Sequence, residues 1–285
     1  MKLIRFGDRG SERPGILLDG DTRVDVSSFG ADYDENFFSG DGLRSLNLWL
    51  HTNLESAPRV PHHLRWGSPI CRPSKIVCIG LNFRDHARET QAPTPAEPVI
   101  FFKSTSSMTG PNDDVVIPKH AQKVDWEVEL AVVIGKKAAY VAKENAFDFV
   151  AGYVLHNDYS ERSFQLERGG QWVKGKSADT FAPIGPFLAT TDEIPNPQQL
   201  DMWLTVNGEC RQKSTTAEMM FDVATLLSYI SQFMTLLPGD VISTGTPAGV
   251  GLGMRPPQYL KPGDTVELGI AGLGQARQRI VPWNG

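Results

Sequence analysis

The sequence predicts a mainly β protein with some helix: a small α+β N-terminal domain over 1–69, then a larger strand-rich domain over 70–285. Three observations predict it. Short runs of β-branched and aromatic residues recur along the chain between turn signals. Glycine and proline are frequent, 27 and 20 of 285 residues, which suits many turns joining short strands. Few segments place apolar residues at helical spacing, and the clearest are 42–54 and the stretch after Asp222.

The N-terminal strands are expected at 2–6, 15–19 and 23–26, an antiparallel meander broken by Gly, Asp and Pro. Leu43, Leu46, Leu50 and Leu54 then recur at helix spacing. The stiff stretch Ala57-Pro58-Arg59-Val60-Pro61 marks the domain boundary, near 57–70. Beyond it, strands are expected at 75–79, 99–102, 115–117, 126–134, 153–156, 202–206 and 240–243. Asp222 is placed to cap a helix whose apolar stripe is Val223, Leu226, Leu227, Ile230, Phe233 and Met234. Leu237-Pro238-Gly239-Asp240 and Lys261-Pro262-Gly263-Asp264 share type II turn chemistry, Pro at i+1 and Gly at i+2, each before a strand.

Composition narrows the function. Net charge is −5 without a basic run, which argues against nucleic acid or an anionic membrane surface as partner. The longest clean apolar stretch, 130–134, is far short of the ~20 residues that a bilayer-spanning helix needs. Arg5, Asp8 and Arg9 interrupt the region where a signal peptide would be apolar. Three cysteines without C-x-x-C spacing fit a reducing cytoplasm.

The sharpest chemical feature is Asp125-Trp126-Glu127-Val128-Glu129-Leu130. On a strand Glu127 and Glu129 share one face, and Val128, Leu130, Val132 and Ile134 take the other. Two carboxylates so placed repel unless a cation lies between them, and a hard ion such as Mg²⁺ or Ca²⁺ takes oxygen ligands. The structural alternative is an edge strand with a solvated outer face. Asp158, ending the apolar run 153–155, is placed as a third oxygen ligand or as a turn residue. In 82–89, His86 and Glu89 lie three apart, so a helical turn would orient the imidazole as a general base, or leave an innocent surface pair. Lys174 and Lys176 fall in an expected Gly/Ser-rich loop. The glycine-rich run 244–253 could turn its N–H groups toward an anion, but it matches neither a dinucleotide fingerprint nor a P-loop.

These segments, in order, resemble the fumarylacetoacetate hydrolase family. The ordered set is Gly80-Leu81-Asn82-Phe83, Asp85-His86, Glu97-Pro98, Phe102-Lys103, Asp125 to Leu130, Asn157-Asp158, Lys176-Ser177, and Thr244-Gly245-Thr246-Pro247 with Gly249-Val250-Gly251. The match covers about 70–285. The resemblance implies a mixed β-roll catalytic domain, Mg²⁺ (or Mn²⁺) held by Glu127, Glu129 and Asp158, and a mobile segment carrying a His86–Glu89 dyad. The dyad follows the shorter acylpyruvase-like members; the eukaryotic member's base sits in a different local motif. Arg162, Gln165 and Thr246 match substrate-binding positions, and Lys176 the active-site lysine. The N-terminal residues Met1 to Gly7, with Arg13-Pro14-Gly15, are similar to a bacterial branch that includes 2,4-diketo-3-deoxy-L-fuconate and L-rhamnonate hydrolases. The implied reaction is C–C bond hydrolysis of a 2,4-diketo acid, releasing pyruvate and a short hydroxy acid. The implied assembly is a homodimer or larger homo-oligomer. Oxaloacetate decarboxylase, ureidoglycolate lyase and fumarylpyruvate hydrolase are alternatives on the same fold, and a catalytically silent metal-binding scaffold is the alternative of another class.

Overall fold

Seven consecutive residues, Val128–Ile134, are all buried, so this strand has to be covered on both faces. It lies inside a nine-stranded sheet of the computed structural model, which describes residues 1–90 and 95–284. In chain order the principal strands are β1 (Lys2–Phe6), β2 (Arg13–Leu17), β3 (Arg23–Asp25), β4 (Ile76–Gly80), β5 (Val99–Lys103), β6 (Val115–Val116), β7 (Val128–Ile134), β8 (Val150–Asn157), β9 (Leu188–Thr190), β10 (Asp201–Val206), β11 (Glu209–Thr215), β12 (Val241–Ser243), β13 (Thr265–Ile270) and β14 (Gly274–Val281). The large sheet runs β3-β2-β1-β9-β8-β7-β12-β4-β5, antiparallel except for the β12–β4 pair. A five-stranded sheet, β11-β10-β13-β14-β6, packs against it. The fold is therefore mainly β, as expected.

The edge-strand alternative for Glu127 and Glu129 is overturned, because β7 pairs with β8 on one side and β12 on the other. One face of β7 (Val128, Leu130, Val132, Ile134) packs in the core with Leu204, Val266 and Leu268 of the second sheet. The opposite face (Ala131, Val133) packs in the core with Leu3, Ile16 and Val24, Phe37 of α1 (Glu35–Ser39), and Leu46 and Leu50 of α2 (Gly42–Asn53). The N-terminal meander forms as expected and joins the large sheet where Lys2 and Leu3 pair with Ala189 and Leu188.

Asp222 caps the helix Val223–Ile230 by accepting from the Thr225 N–H. Val223, Leu226, Leu227 and Ile230 are buried, but the helix stops before Phe233 and Met234, and Phe233 is 62% exposed. The expected stripe is thus two residues too long. Both expected type II turns form. Gly239 and Gly263 have φ of +85° and +97°, and Asp240 and Asp264 donate N–H bonds to Leu237 and Lys261. The strand expected at 126–134 starts at Val128, because 124–125 pair separately with 160–161.

One cross-link ties the N-terminal 69 residues to the strand-rich part that follows. Arg65 holds Asp113 with two bonds of 2.7 and 2.6 Å and reaches Glu12 at 2.9 Å. Burial alone would raise the Asp113 carboxyl, but hydrogen bonds from Arg65, Thr109 and the Gly110 N–H hold it below its ordinary value. A depressed carboxyl stabilises above its unfolded pKa, and that stability is lost as pH falls through the folded value. Asp113→Asn is therefore expected to lower Tm at pH 7, and by less as pH falls. Thermal melts at neutral and acidic pH check this; an equal loss at both would mean that charge plays no part.

Candidate functional site

Strand register assembles the site. Glu129 stands directly opposite His156 in the β7–β8 pair, so both point to the face that carries Ala131 and Val133. Where β8 ends, the Asp158 N–H donates to the Glu127 carbonyl at 2.9 Å, which brings Asp158 beside Glu127. The result is a buried carboxylate trio. One oxygen each of Glu127, Glu129 and Asp158 lies within 4.8 Å of the others.

Three buried cations face this trio. Lys176 Nζ donates to Glu127 Oε2 and Asp158 Oδ2, both at 2.7 Å. Lys103 Nζ donates to Asp158 Oδ1 at 2.5 Å and to the Tyr159 carbonyl. Arg162 donates through Nε to Asp125 Oδ2 (2.8 Å), through Nη2 to Glu127 Oε1 (2.7 Å) and through Nη1 to Gln165 Oε1 (3.0 Å). Lys176 is 2% exposed and lies on a short helix, Val173–Lys176, not in a solvated loop. The expectation of a loop lysine is corrected: Lys176 is a buried counter-charge.

The charges are unevenly shared. Burial disfavours the ionised Asp158, but Lys103 and Lys176 outweigh it and hold the carboxyl well below its usual range. Burial also disfavours ionised Lys176, and Asp158 and Glu127 outweigh it and raise its pKa. Among the described residues Glu129 contacts no cation directly; it accepts from Ser243 Oγ and the Gly245 N–H. Burial, followed by the negative charges of Asp158 and Glu127, pushes its carboxyl well above the ordinary value. An all-oxygen donor set with one uncompensated carboxylate fits a hard divalent cation held by Glu127, Glu129 and Asp158.

A cavity of about 230 Å³ opens beside the trio. Glu127, Glu129, Arg162, Gln165, Lys176, Thr246 and His86 all line it, among apolar walls that include Phe101, Trp172 and Val250. The structure thus gathers seven of the nine sequence-predicted residues at one cavity. Asp158 is tied in through Lys176, and Glu89 through His86, whose Nδ1 is 3.3 Å from Glu89 Oε2. Both dyad residues sit on the helix Arg84–Thr90, which Asn82 and Arg84 anchor to the backbone of residues 217–221 and 244. Burial works against ionised Glu89, but the His86 contact and the Gly249 N–H hold its pKa below the ordinary value.

The glycine-rich run does turn its N–H groups to anions, and they are the protein's own carboxylates. Gly245 donates to Glu129, Gly249 to Glu89, and Gly251 and Leu252 to Asp125. Glycine is required at 249, where φ is +101° and a Cβ would lie 1.9 Å from the Arg211 carbonyl. Asp125 and Lys103 are the residues that sequence reasoning left without a role. Their signal was a charged residue abutting an apolar strand, in a place where a solvated chain would not keep it.

The family model described as Fumarylacetoacetate (FAA) hydrolase C-terminal matches residues 75–281. The chain belongs to the fumarylacetoacetate hydrolase family. A relative from Burkholderia orbicola strain MC0-3, 51% identical over 280 residues and covering 98% of both chains, has a name that goes no further than hydrolase. Maleylpyruvate hydrolase from Sphingobium sp. SYK-6, solved with manganese(II) and pyruvate, is 30% identical with a TM-score of 0.84 over the full length of both chains. A Mycobacterium abscessus structure titled as a 2-hydroxyhepta-2,4-diene-1,7-dioate isomerase is 32% identical, with a TM-score of 0.82 over the same coverage. Family, fold and hydrolase character thus agree with the expectations from sequence. Among the described residues no helix is long and apolar enough to cross a membrane.

Proposed function

We propose that this family member hydrolyses the C3–C4 bond of a 2,4-diketo acid, a 2,4-diketo-3-deoxy sugar acid in the first instance, releasing pyruvate and a short hydroxy acid. The observation that carries the reading is the convergence on one cavity of a carboxylate trio, a buried lysine and a His86–Glu89 pair. A divalent cation, Mg²⁺ or Mn²⁺, would supply the positive charge that draws in the carboxylate and 2-oxo oxygens of such an acid.

The chain's own groups supply the rest. Glu89 orients His86, which takes a proton from water as its oxygen adds to C4. The C3–C4 bond breaks with its electron pair going to C3, and protonation there completes pyruvate. Lys176 places an ammonium where enolate charge develops, while Arg162 and Gln165 hold the acid's polar groups and Thr246 closes the wall. We extend the reading to a homodimer; sedimentation at micromolar concentration tests that part, and a monomer would overturn it.

The decisive assay is coupled pyruvate release from a panel: diketo sugar acids, acylpyruvates, fumarylpyruvate, oxaloacetate and ureidoglycolate. Release from a diketo acid with a stoichiometric carboxylic acid supports hydrolysis. Turnover of oxaloacetate or ureidoglycolate alone, or isomerisation without cleavage, would replace the reading. His86→Ala is expected to lower kcat by roughly 10²–10⁴-fold with metal binding intact. Unchanged hydrolysis would remove His86 from the chemistry.

A further inference from the structure

Glu129 is held by more than its place on the strand. Ser243 Oγ lies 2.5 Å from Glu129 Oε2, and His156 Nδ1 lies 2.6 Å from the same Ser243 Oγ. The three residues come from three adjacent strands, β12, β7 and β8, and each is at most 1% exposed. We propose that Ser243 and His156 are positioning residues for Glu129. They form a one-way donor chain from His156 Nδ1–H to Ser243 Oγ, and from Ser243 O–H to Glu129 Oε2.

The direction follows from counting protons. Glu129 Oε2 also accepts the Gly245 N–H at 3.0 Å, and a backbone amide can only donate. As a metal ligand Glu129 is a carboxylate and can only accept, so Ser243 must donate to it. A serine hydroxyl has a single proton. With that proton committed to Glu129, the contact to His156 is satisfied only if Nδ1 donates. His156 Nε2 has no hydrogen-bond partner among the described residues. A buried N–H there would be left unpaired, which costs more than a buried lone pair, so both ends of the ring assign the proton to Nδ1.

Two converging donors on Oε2 fix the rotation of the Glu129 carboxylate and leave Oε1 without a donor among the described residues. Partners that orient a metal ligand are worth about 10–100-fold in metal affinity. The inference rests on the reading of Glu129 as a metal ligand, and the experiment separates the two. Mn²⁺ binding to the full chain is titrated by the EPR signal of free Mn²⁺ for wild type, Ser243→Ala and Glu129→Gln, with Tm recorded for each. Ser243→Ala is expected to bind about 10–100-fold more weakly. In parallel, ¹⁵N shifts of His156 are read on the wild-type protein in chelator, where Nδ1 should be protonated and Nε2 bare. Wild-type affinity in Ser243→Ala with binding lost in Glu129→Gln would overturn the inference and leave the ligand assignment standing. Wild-type affinity in Glu129→Gln would overturn the metal site itself. A wild-type His156 protonated at Nε2 would overturn the donor chain without recourse to any variant.

Discussion

Asp158→Asn is expected to cost about 3–5 kcal/mol of stability in chelator, the range for breaking one side of a buried ion pair. Glu129→Gln, in the same trio, is expected to leave stability unchanged or to raise it. Asp158 is the anion for two buried ammoniums, Lys103 at 2.5 Å and Lys176 at 2.7 Å, and asparagine keeps one acceptor oxygen but no charge, so one ammonium faces an amide NH₂ and both lose the anion that they share. Its depressed carboxyl adds stability above the ordinary Asp pKa of ~3.9, and that stability is lost as pH falls through the lower folded value. Glu129 has the opposite sign. Its raised carboxyl means that ionisation works against folding as pH rises through the folded value, and glutamine removes that penalty while still accepting from Ser243 and Gly245. Thermal melts in chelator at neutral pH decide. A Glu129→Gln loss as large as that of Asp158→Asn would mean that Glu129 is already compensated, and the electrostatic case for a divalent ion would fall. Like-charge relief on removing a carboxylate is thereby expected at Glu129 and not at Asp158.

Lys176→Met is expected to reduce kcat on a cleaved diketo acid by about 10²–10³-fold, in line with the ~2.7–4 kcal/mol that an oxyanion donor supplies. Binding of Mn²⁺ should persist or tighten, because Glu127 Oε2 and Asp158 Oδ2 lose the ammonium that they share. Lys176→Arg should rescue only partly. The Nζ sits 4.9 Å from the centre of the Phe101 ring in a buried slot, and a planar guanidinium cannot replace a compact ammonium there. Near-normal kcat in the methionine variant would make Lys176 a structural counter-charge only.

Much of this was legible in the chain itself. The Glu-x-Glu spacing at 127 and 129, the Asp222 cap and the two Pro-Gly turns each depend on neighbours a few residues away, where local sterics and strand periodicity decide the outcome. The ordered motifs gave the family and singled out nine candidate residues, seven of which line one cavity. What the helix after Asp222 did not reveal was its end: Phe233 keeps the apolar spacing yet lies outside the helix and in solvent.

Sequence by itself determined the mainly β class, the local turns and caps, the family and the residues worth suspecting. Only the tertiary structure decided how they combine. The β7–β8 register put Asp158 beside Glu127, and central placement of β7 buried a pair of glutamates that would also suit an edge. Packing turned Lys176 from an expected loop residue into a counter-charge 49 residues away from Glu127, and it brought in Lys103 and Asp125 from 55 and 37 residues away from their partners. The physical reason is range. Propensity, capping and turn chemistry act over a few bonds, whereas burial and charge compensation depend on which distant segments share one low-dielectric space.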